Sequence, residues 1–283
     1  MLTGYLLIIA AASCWGFIGI FSSIAFSEGV APMEVAFWRA LIAWVLFGTQ
    51  AFILKETQLK KQDIPLLAIF GLLGISLFYT SYLYAINSGG AALASVLLYT
   101  APAWVVACSL IVYKERLTTN KIIAIFLVIA GVFLISNTGG NANSTSPLTA
   151  LAVLSGLTAG FCYSLYYTLG KHFSSRYSSA NLFLYMLPIG ILGILPFVKF
   201  APKSPLAWLA LILVAIVSTF IANQCYYLGL RKLEAGKASI VATIEPVIAA
   251  TAAYCILGEQ FTLFGYLGAT MIIVAVVLTI ARP

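Results

Sequence analysis

The sequence predicts an all-α integral membrane protein: ten transmembrane helices arranged as two inverted five-helix repeats. Three observations lead there. First, only 8% of the 283 residues are charged while 62% are hydrophobic, and mean hydropathy is +1.05. A soluble domain carries about 25% charged residues, so this composition argues against a soluble enzyme, a disordered chain and a nucleic-acid binder with a basic patch. Second, the few charges divide the chain into apolar stretches of spanning length. Third, the second half repeats the first.

A helix needs about 20 apolar residues to cross a bilayer core of about 30 Å. The first span covers about residues 3–26. No Lys or Arg precedes it, so it reads as a retained span, even though Ala11-Ala12-Ser13-Cys14 resembles a lipoprotein cleavage site. The second span, about 32–54, carries Glu34 and Arg39 in its first half. Residues 64–113 hold no charge and are twice too long for one span. Asn87-Ser88-Gly89-Gly90 is expected to turn the chain there, giving spans at about 63–86 and 91–113. A fifth span at about 118–136 completes the first repeat, residues 1–138. A Gly/Asn/Ser/Thr/Pro loop follows from Asn137 to Pro147. The second repeat, residues 147–283, holds spans at about 147–170, 178–198, 204–228, 236–257 and 262–281. Its fourth carries Glu245.

Fifteen Lys and Arg against eight Asp and Glu leave a net charge of +7. Placement gives the surplus its meaning. With both termini cytoplasmic, the inner face holds Lys55, Lys60, Lys61, Lys114, Arg116, Lys121, Lys171, Arg176, Arg231, Lys232, Lys237 and Arg282. The outer loops hold only Lys199 and Lys203, and Arg39 lies within a span. The positive-inside rule therefore places both termini in the cytoplasm. A basic inner face also suits an anionic leaflet of the lipid bilayer. The expected location is the cytoplasmic (inner) membrane, crossed many times.

The five cysteines lie apart in apolar runs without a CxxC pair, and His172 is the only histidine. No metal site, cofactor or disulfide framework is expected. The thiols read as small packing groups.

Shifting the sequence by 144 residues aligns it with itself without a gap. Ala94, Ser95, Pro102, Glu115 and Thr118 then meet Ala238, Ser239, Pro246, Glu259 and Thr262. Tyr82 meets Tyr226, and Gly16-Phe17 meets Gly160-Phe161. The shared Pro-to-Glu spacing is more specific than the plain apolar identities. Five spans per half put the second half in the opposite orientation. The charges agree: Lys114-Glu115-Arg116 becomes Gly258-Glu259-Gln260, whereas Asn87-Ser88-Gly89-Gly90 becomes Arg231-Lys232-Leu233-Glu234. Inverted repeats of this kind are typical of transporters.

Ten spans in a 5+5 repeat, Ser13-Cys14-Trp15-Gly16, and Pro102…Glu115 echoed by Glu245-Pro246…Glu259 together resemble the EamA branch of the drug/metabolite transporter superfamily. The resemblance covers essentially the whole chain. It implies a central cavity lined by the first four helices of each half, with the fifth and tenth outside as a scaffold. It also implies export of amino acids or other small metabolites, with drugs or nucleotide-like metabolites as the alternative cargo.

Glu245 is the most unusual residue. It lies seven or eight residues into its span, about 11–14 Å deep at 1.5 Å per residue. Intramembrane acids usually face a wet cavity or a partner. Glu245 therefore reads either as a substrate-amine contact or proton-coupling group, or as a structural acid bracing Pro246. Arg39 reads as its partner or as a site for a substrate carboxylate. The plainer alternative is that Arg39 snorkels to the outer interface.

Pro102 and Pro246 occupy equivalent mid-span positions and read as hinges or static kinks, freeing the carbonyls of Leu98 and Ala242. Trp15, Tyr79, Tyr82, Tyr99, Tyr163 and Tyr226 lie deeper than an interfacial belt, where a phenol needs a hydrogen-bond partner. With Asn223 they read as candidate cavity lining. Glu115 and Glu259 read as structural acids that, with Thr118 and Thr262, begin the next helix. Gly71 and Gly74, Gly190 and Gly193, and Gly265 and Gly268 read as points of close helix approach.

The expected function is secondary export of a small amphipathic metabolite by alternating access. The chain carries no Walker motif, and one loop histidine with one mid-span acid is a poor basis for an enzyme. A channel or membrane scaffold is the alternative from a different class. Partners are a small-molecule substrate and lipid, not nucleic acid; a homo-oligomer is left open.

Overall fold

A computed structural model of the chain describes residues 2–136, 150–257 and 262–281. The expected loop from Asn137 to Pro147, Glu259 and Arg282 lie outside the described residues. Among the described residues, nine helical stretches are long and apolar enough to cross a membrane, and Thr119–Ile135 is a shorter apolar helix in the fifth position. The fold is all-helical, as the composition predicts.

The first span is α1 (Leu2–Gly16) and α2 (Ile18–Ser27), and the second is α3 (Pro32–Ile53). The third is α4 (Ile64–Gly71), a π-helical segment at Leu72–Leu77 and the start of α5 (Phe78–Leu98). The end of α5 and α6 (Ala101–Val112) form the fourth, and α7 (Thr119–Ser136) the fifth. The second half follows with α8 (Ala150–Ser174) and α9 (Ser179–Ile194). Its third span is α10 (Pro205–Ala215), a π segment at Ile216–Ile221 and α11 (Ala222–Leu230). Then come α12 (Ala235–Ala242) with α13 (Glu245–Leu257), and finally α14 (Leu263–Ala281).

Local chemistry sets these boundaries. Pro32 and Pro205 stand in first turns, where no backbone donor is needed. Ser178 and Ser204 cap α9 and α10, accepting from Asn181 N at 3.2 Å and Ala207 N at 3.0 Å. Gly29, at φ 83°, ends α2: its N–H reaches Phe26 O at 3.0 Å and Val30 N reaches Ala25 O at 3.0 Å. That paired reversal needs a left-handed residue, which glycine supplies without a Cβ penalty.

The two halves enter from opposite ends. Gly4, at the start of α1, packs on Leu233, while Lys171, near the end of α8, donates to the Leu233 carbonyl at 2.6 Å. The first helix of each half therefore begins where the other finishes. The Tyr5 hydroxyl reaches the Thr279 carbonyl at 3.5 Å, so α1 starts and α14 ends at the same face of the bundle. Helices α7 and α14 lie together at the side. A methyl on Gly131 would meet the Gly268 carbonyl at 2.7 Å, which explains why both positions are glycine.

Two expectations need correction. Asn87-Ser88-Gly89-Gly90 does not leave the helical conformation, because α5 runs through it. The chain still reverses here, between the spans Lys61–Gly89 and Leu93–Val112. Phe78 stacks on Tyr163 and Gly89 packs on Ala152, so the first leg runs back along α8, but Leu97 then packs on Gly156, so the second leg runs forward along it. Glycines let a helix bend sharply where side chains would collide. Pro102 and Pro246 are not kinks inside continuous helices. The spans break at Tyr99-Thr100 and Thr243-Ile244, and each proline is the second residue of the half-helix that follows. Leu98 and Ala242 thus stand at the last turn of the preceding half-helix.

Two symmetric features were not anticipated. The π segments Leu72–Leu77 and Ile216–Ile221 are one 144-residue repeat apart, as are the two breaks. The first span is also interrupted, at Phe17, although its repeat partner α8 is continuous.

Candidate functional site

The breaks and π segments surround a central cavity of about 340 Å³. Four pairs of repeat-equivalent positions face it: Gly19 and Tyr163, Arg39 and Phe183, Ile75 and Thr219, Tyr79 and Asn223. The scaffold is thus two-fold, but the chemistry is not. One member of a pair is polar where the other is apolar or aromatic. Helices α7 and α14 contribute no lining residue.

Arg39 turns inward and does not snorkel. Its Nε donates to Thr219 Oγ1 at 3.1 Å, and the guanidinium carbon lies 5.8 Å from the Tyr79 ring centroid. A guanidinium on an aromatic face gains a cation–π attraction, while its terminal N–H groups have no protein partner among the described residues. Thr219 in turn donates to Val214 O at 3.1 Å, an i−5 bond set by the π segment.

Glu245 occupies the first position of α13, where the unpaired amides of a helix start favour a carboxylate. The Tyr163 hydroxyl donates to Glu245 Oε2 at 3.4 Å, and Tyr99 lines the same cavity. Tyr167 donates to the Tyr163 oxygen at 3.4 Å, so phenols support the acid in a relay. Arg39 and Glu245 line the same cavity, but no direct ion pair joins them among the described residues.

Eight of the nine cavity candidates therefore share one wall: Trp15, Arg39, Tyr79, Tyr82, Tyr99, Tyr163, Asn223 and Glu245. Tyr226 does not, and this expectation is corrected. It lies about one turn beyond Asn223 toward the end that holds the termini, and it is fully buried. Its hydroxyl donates to the Tyr166 carbonyl at 2.9 Å, and its ring packs 5.3 Å from Trp15 and 5.4 Å from Tyr167. It supports the cavity floor from below.

Beneath that floor lie two sets of charged contacts, and the one at Lys121 ties the halves together. Lys171 Nζ donates to the carbonyls of Leu230 at 2.7 Å and Leu233 at 2.6 Å, neutralising the end of α11. Lys121 is buried between Glu115 at 3.3 Å and Glu234 at 2.9 Å. Burial raises the Glu234 carboxyl, but the hydrogen bond and charge of Lys121, with Lys237, outweigh it and hold the group below its ordinary value of 4.5. Thr118 begins α7 as expected, accepting from Lys121 N at 3.3 Å. Glu115 does not join it; its oxygens accept the N–H groups of Ala235 and Gly236 at the start of α12, in the other repeat.

Comparison with known proteins agrees with this architecture. The EamA-like transporter family model matches residues 2–137 and 150–281. This chain belongs to the EamA-like transporter family. It is 27% identical over 277 residues to an uncharacterized transporter of Archaeoglobus fulgidus, covering 95% of each chain. It is 26% identical to the uncharacterized inner membrane transporter YicL of Salmonella typhimurium, over 97% of this chain and 94% of that one. A solved crystal structure matches with a TM-score of 0.84 and 16% identity, over 98% of this chain and 96% of the other. That likeness concerns the fold.

For this EamA-family membrane transporter, the lining residues missed in the sequence include Ser95, Phe183, Leu187 and Thr219. Thr219 and Phe183 had an available signal: they are one repeat interval from Ile75 and Arg39. Projecting Arg39 through the repeat would have nominated Phe183.

Proposed function

We propose that the protein is a secondary transporter of the cytoplasmic (inner) membrane, with both termini cytoplasmic, that exports amino acids or related amphipathic metabolites by alternating access. The supporting observation is the cavity itself, which presents one cation, Arg39, and one anion, Glu245, between aromatic walls. Its volume lies at the lower end of the roughly 300–1,000 Å³ usual for small-molecule sites. A zwitterion with an apolar side chain complements it: carboxylate to Arg39, ammonium toward Glu245, side chain against Trp15, Tyr79 and Phe78. The paired breaks before Pro102 and Pro246 and the paired π segments serve as hinges, because interrupted helices bend at defined points. The cations at the termini face give the orientation.

The test is a transport screen with purified protein in liposomes. Amino acids, amines, drugs and nucleotides are offered with and without a pH gradient. Saturable counterflow of amino acids supports the proposal. Counterflow confined to drugs or nucleotides would transfer the assignment to that cargo, and unsaturable flux or none would reject a carrier.

A further inference from the structure

Asn223 is buried, 5% exposed, yet it lines the cavity. Its Nδ2 donates to the Thr219 carbonyl at 2.7 Å. A carbonyl can only accept, so this bond fixes which side of the amide bears nitrogen. Its Oδ1 is left buried with no protein partner among the described residues. A buried amide oxygen without a donor is an unusual feature, and here it stands beside a cavity.

Thr219 links this amide to Arg39. Its hydroxyl accepts the Arg39 Nε–H at 3.1 Å, while its carbonyl holds Asn223. One residue of the π segment thus contacts both the Arg39 guanidinium and the Asn223 amide, and both side chains line the cavity. The equivalent position in the other half is Tyr79, whose ring lies beneath the Arg39 guanidinium. The repeat therefore supplies a platform on one side and a single directional acceptor on the other.

Resting on the amino-acid reading above, we infer that Asn223 is a specificity-determining residue whose Oδ1 accepts an N–H from the ligand's ammonium group while the ligand's carboxylate meets Arg39. Charge alone does not make this selection. Glu245 attracts any cation, including a quaternary ammonium with no N–H to donate. The Asn223 oxygen is neutral and directional, and only a ligand N–H satisfies it. A site that hydrogen-bonds its substrate strongly rejects an analogue lacking the donor, because the site's own polar group is then buried unpaired. The cavity therefore takes primary or secondary α-ammonium carboxylates and excludes their N,N,N-trimethyl counterparts.

The experiment measures counterflow in proteoliposomes for a matched panel: L-leucine, L-phenylalanine and L-methionine, each beside its N,N,N-trimethyl betaine. Wild type is expected to prefer the N–H form by about tenfold or more. Asn223→Leu removes the acceptor and should bring the ratio close to one. Asn223→Asp keeps an acceptor while losing the bond to Thr219, and should retain the preference. The ratio is independent of how much protein folds, so a poorly folding variant still reports on selectivity. Equal transport of both forms by wild type, or an undiminished preference in Asn223→Leu, overturns the inference while leaving amino-acid transport standing. Transport of neither form by wild type rejects the amino-acid reading and this inference with it.

Discussion

The Glu115 carboxylate accepts the Ala235 backbone N–H at 3.0 Å, so the loop after the fourth span of one half caps a helix of the other. The same carboxylate faces Lys121, whose ammonium is buried. Glu115→Ala should therefore lower thermal stability by about 2 kcal/mol, the scale of a hydrogen bond to a charged group. Glu115→Gln should lower it less, because the amide oxygen still caps α12. Melting of detergent-solubilised protein checks this, and equal losses in the two variants would show that the charge facing Lys121, not the cap, carries the effect.

Glu234 carries a pH prediction. Its carboxyl is held below the ordinary 4.5, chiefly by Lys121 acting against burial. A depressed folded value means stabilisation that is complete above the unfolded value and fades as pH falls through the folded one. Stability should thus be level from neutral pH to about 5 and decline below that. In Glu234→Gln this acid-side decline should be shallower. The side chain is 45% exposed, so the contribution is small and should shrink further in high salt. An identical acid limb in the variant would remove Glu234 from the account.

Arg39 should be required as a guanidinium. Among the described residues only its Nε is bonded, to Thr219, so its terminal N–H groups can grip a carboxylate as a planar fork. Arg39→Ala should raise the KM of an amino-acid substrate roughly ten- to a hundredfold, as expected for a lost charge-assisted bond of about 1.5–3 kcal/mol. Arg39→Lys should recover little, since a point charge reproduces neither the fork nor the stack on Tyr79. An unchanged KM in Arg39→Ala would remove carboxylate binding from this residue.

These predictions show which parts of the molecule were legible in the sequence. Spans could be counted because the bilayer demands long apolar runs, and the inversion could be read because odd-numbered repeats swap their loop charges. Most of the cavity followed from depth: a buried Tyr163 needs a partner for its hydroxyl, and Glu245 supplies one. Direction was harder. Asn223 and Tyr226 are three residues apart with similar depth, yet only one faces the cavity. The π segment sets that phase, and Ile216–Ile221 has no residue that distinguishes it from ordinary helix. Glu115 was legible as a helix-capping acid, but not that the helix lay in the other repeat.

Packing between α7 and α14 gives a prediction independent of transport chemistry. A Cβ on Gly268 would meet the Gly131 carbonyl at 2.5 Å. Backbone cannot yield as a flexible side chain does, so Gly131→Leu should force the helices apart and lower stability by about 1–3 kcal/mol. Neither helix lines the cavity, so the KM of the folded fraction should stay unchanged. A shifted KM would show that this pair transmits strain to the site.

Glu245→Gln separates two uses of the same residue. The carboxylate accepts from Tyr163 at the start of α13. Glutamine keeps the size and one acceptor oxygen, so the floor and the half-helix should remain in place, but it cannot take up or release a proton. If proton exchange at Glu245 drives export, the variant should lose uptake driven by a pH gradient while retaining counterflow, which needs only substrate exchange. If Glu245 serves instead as the anionic partner of the ligand ammonium, both activities should fall together, with KM rising more for zwitterions than for monoanions. Full gradient-driven transport with an intact pH response would exclude the coupling role and leave Glu245 as a brace for the half-helix at Pro246.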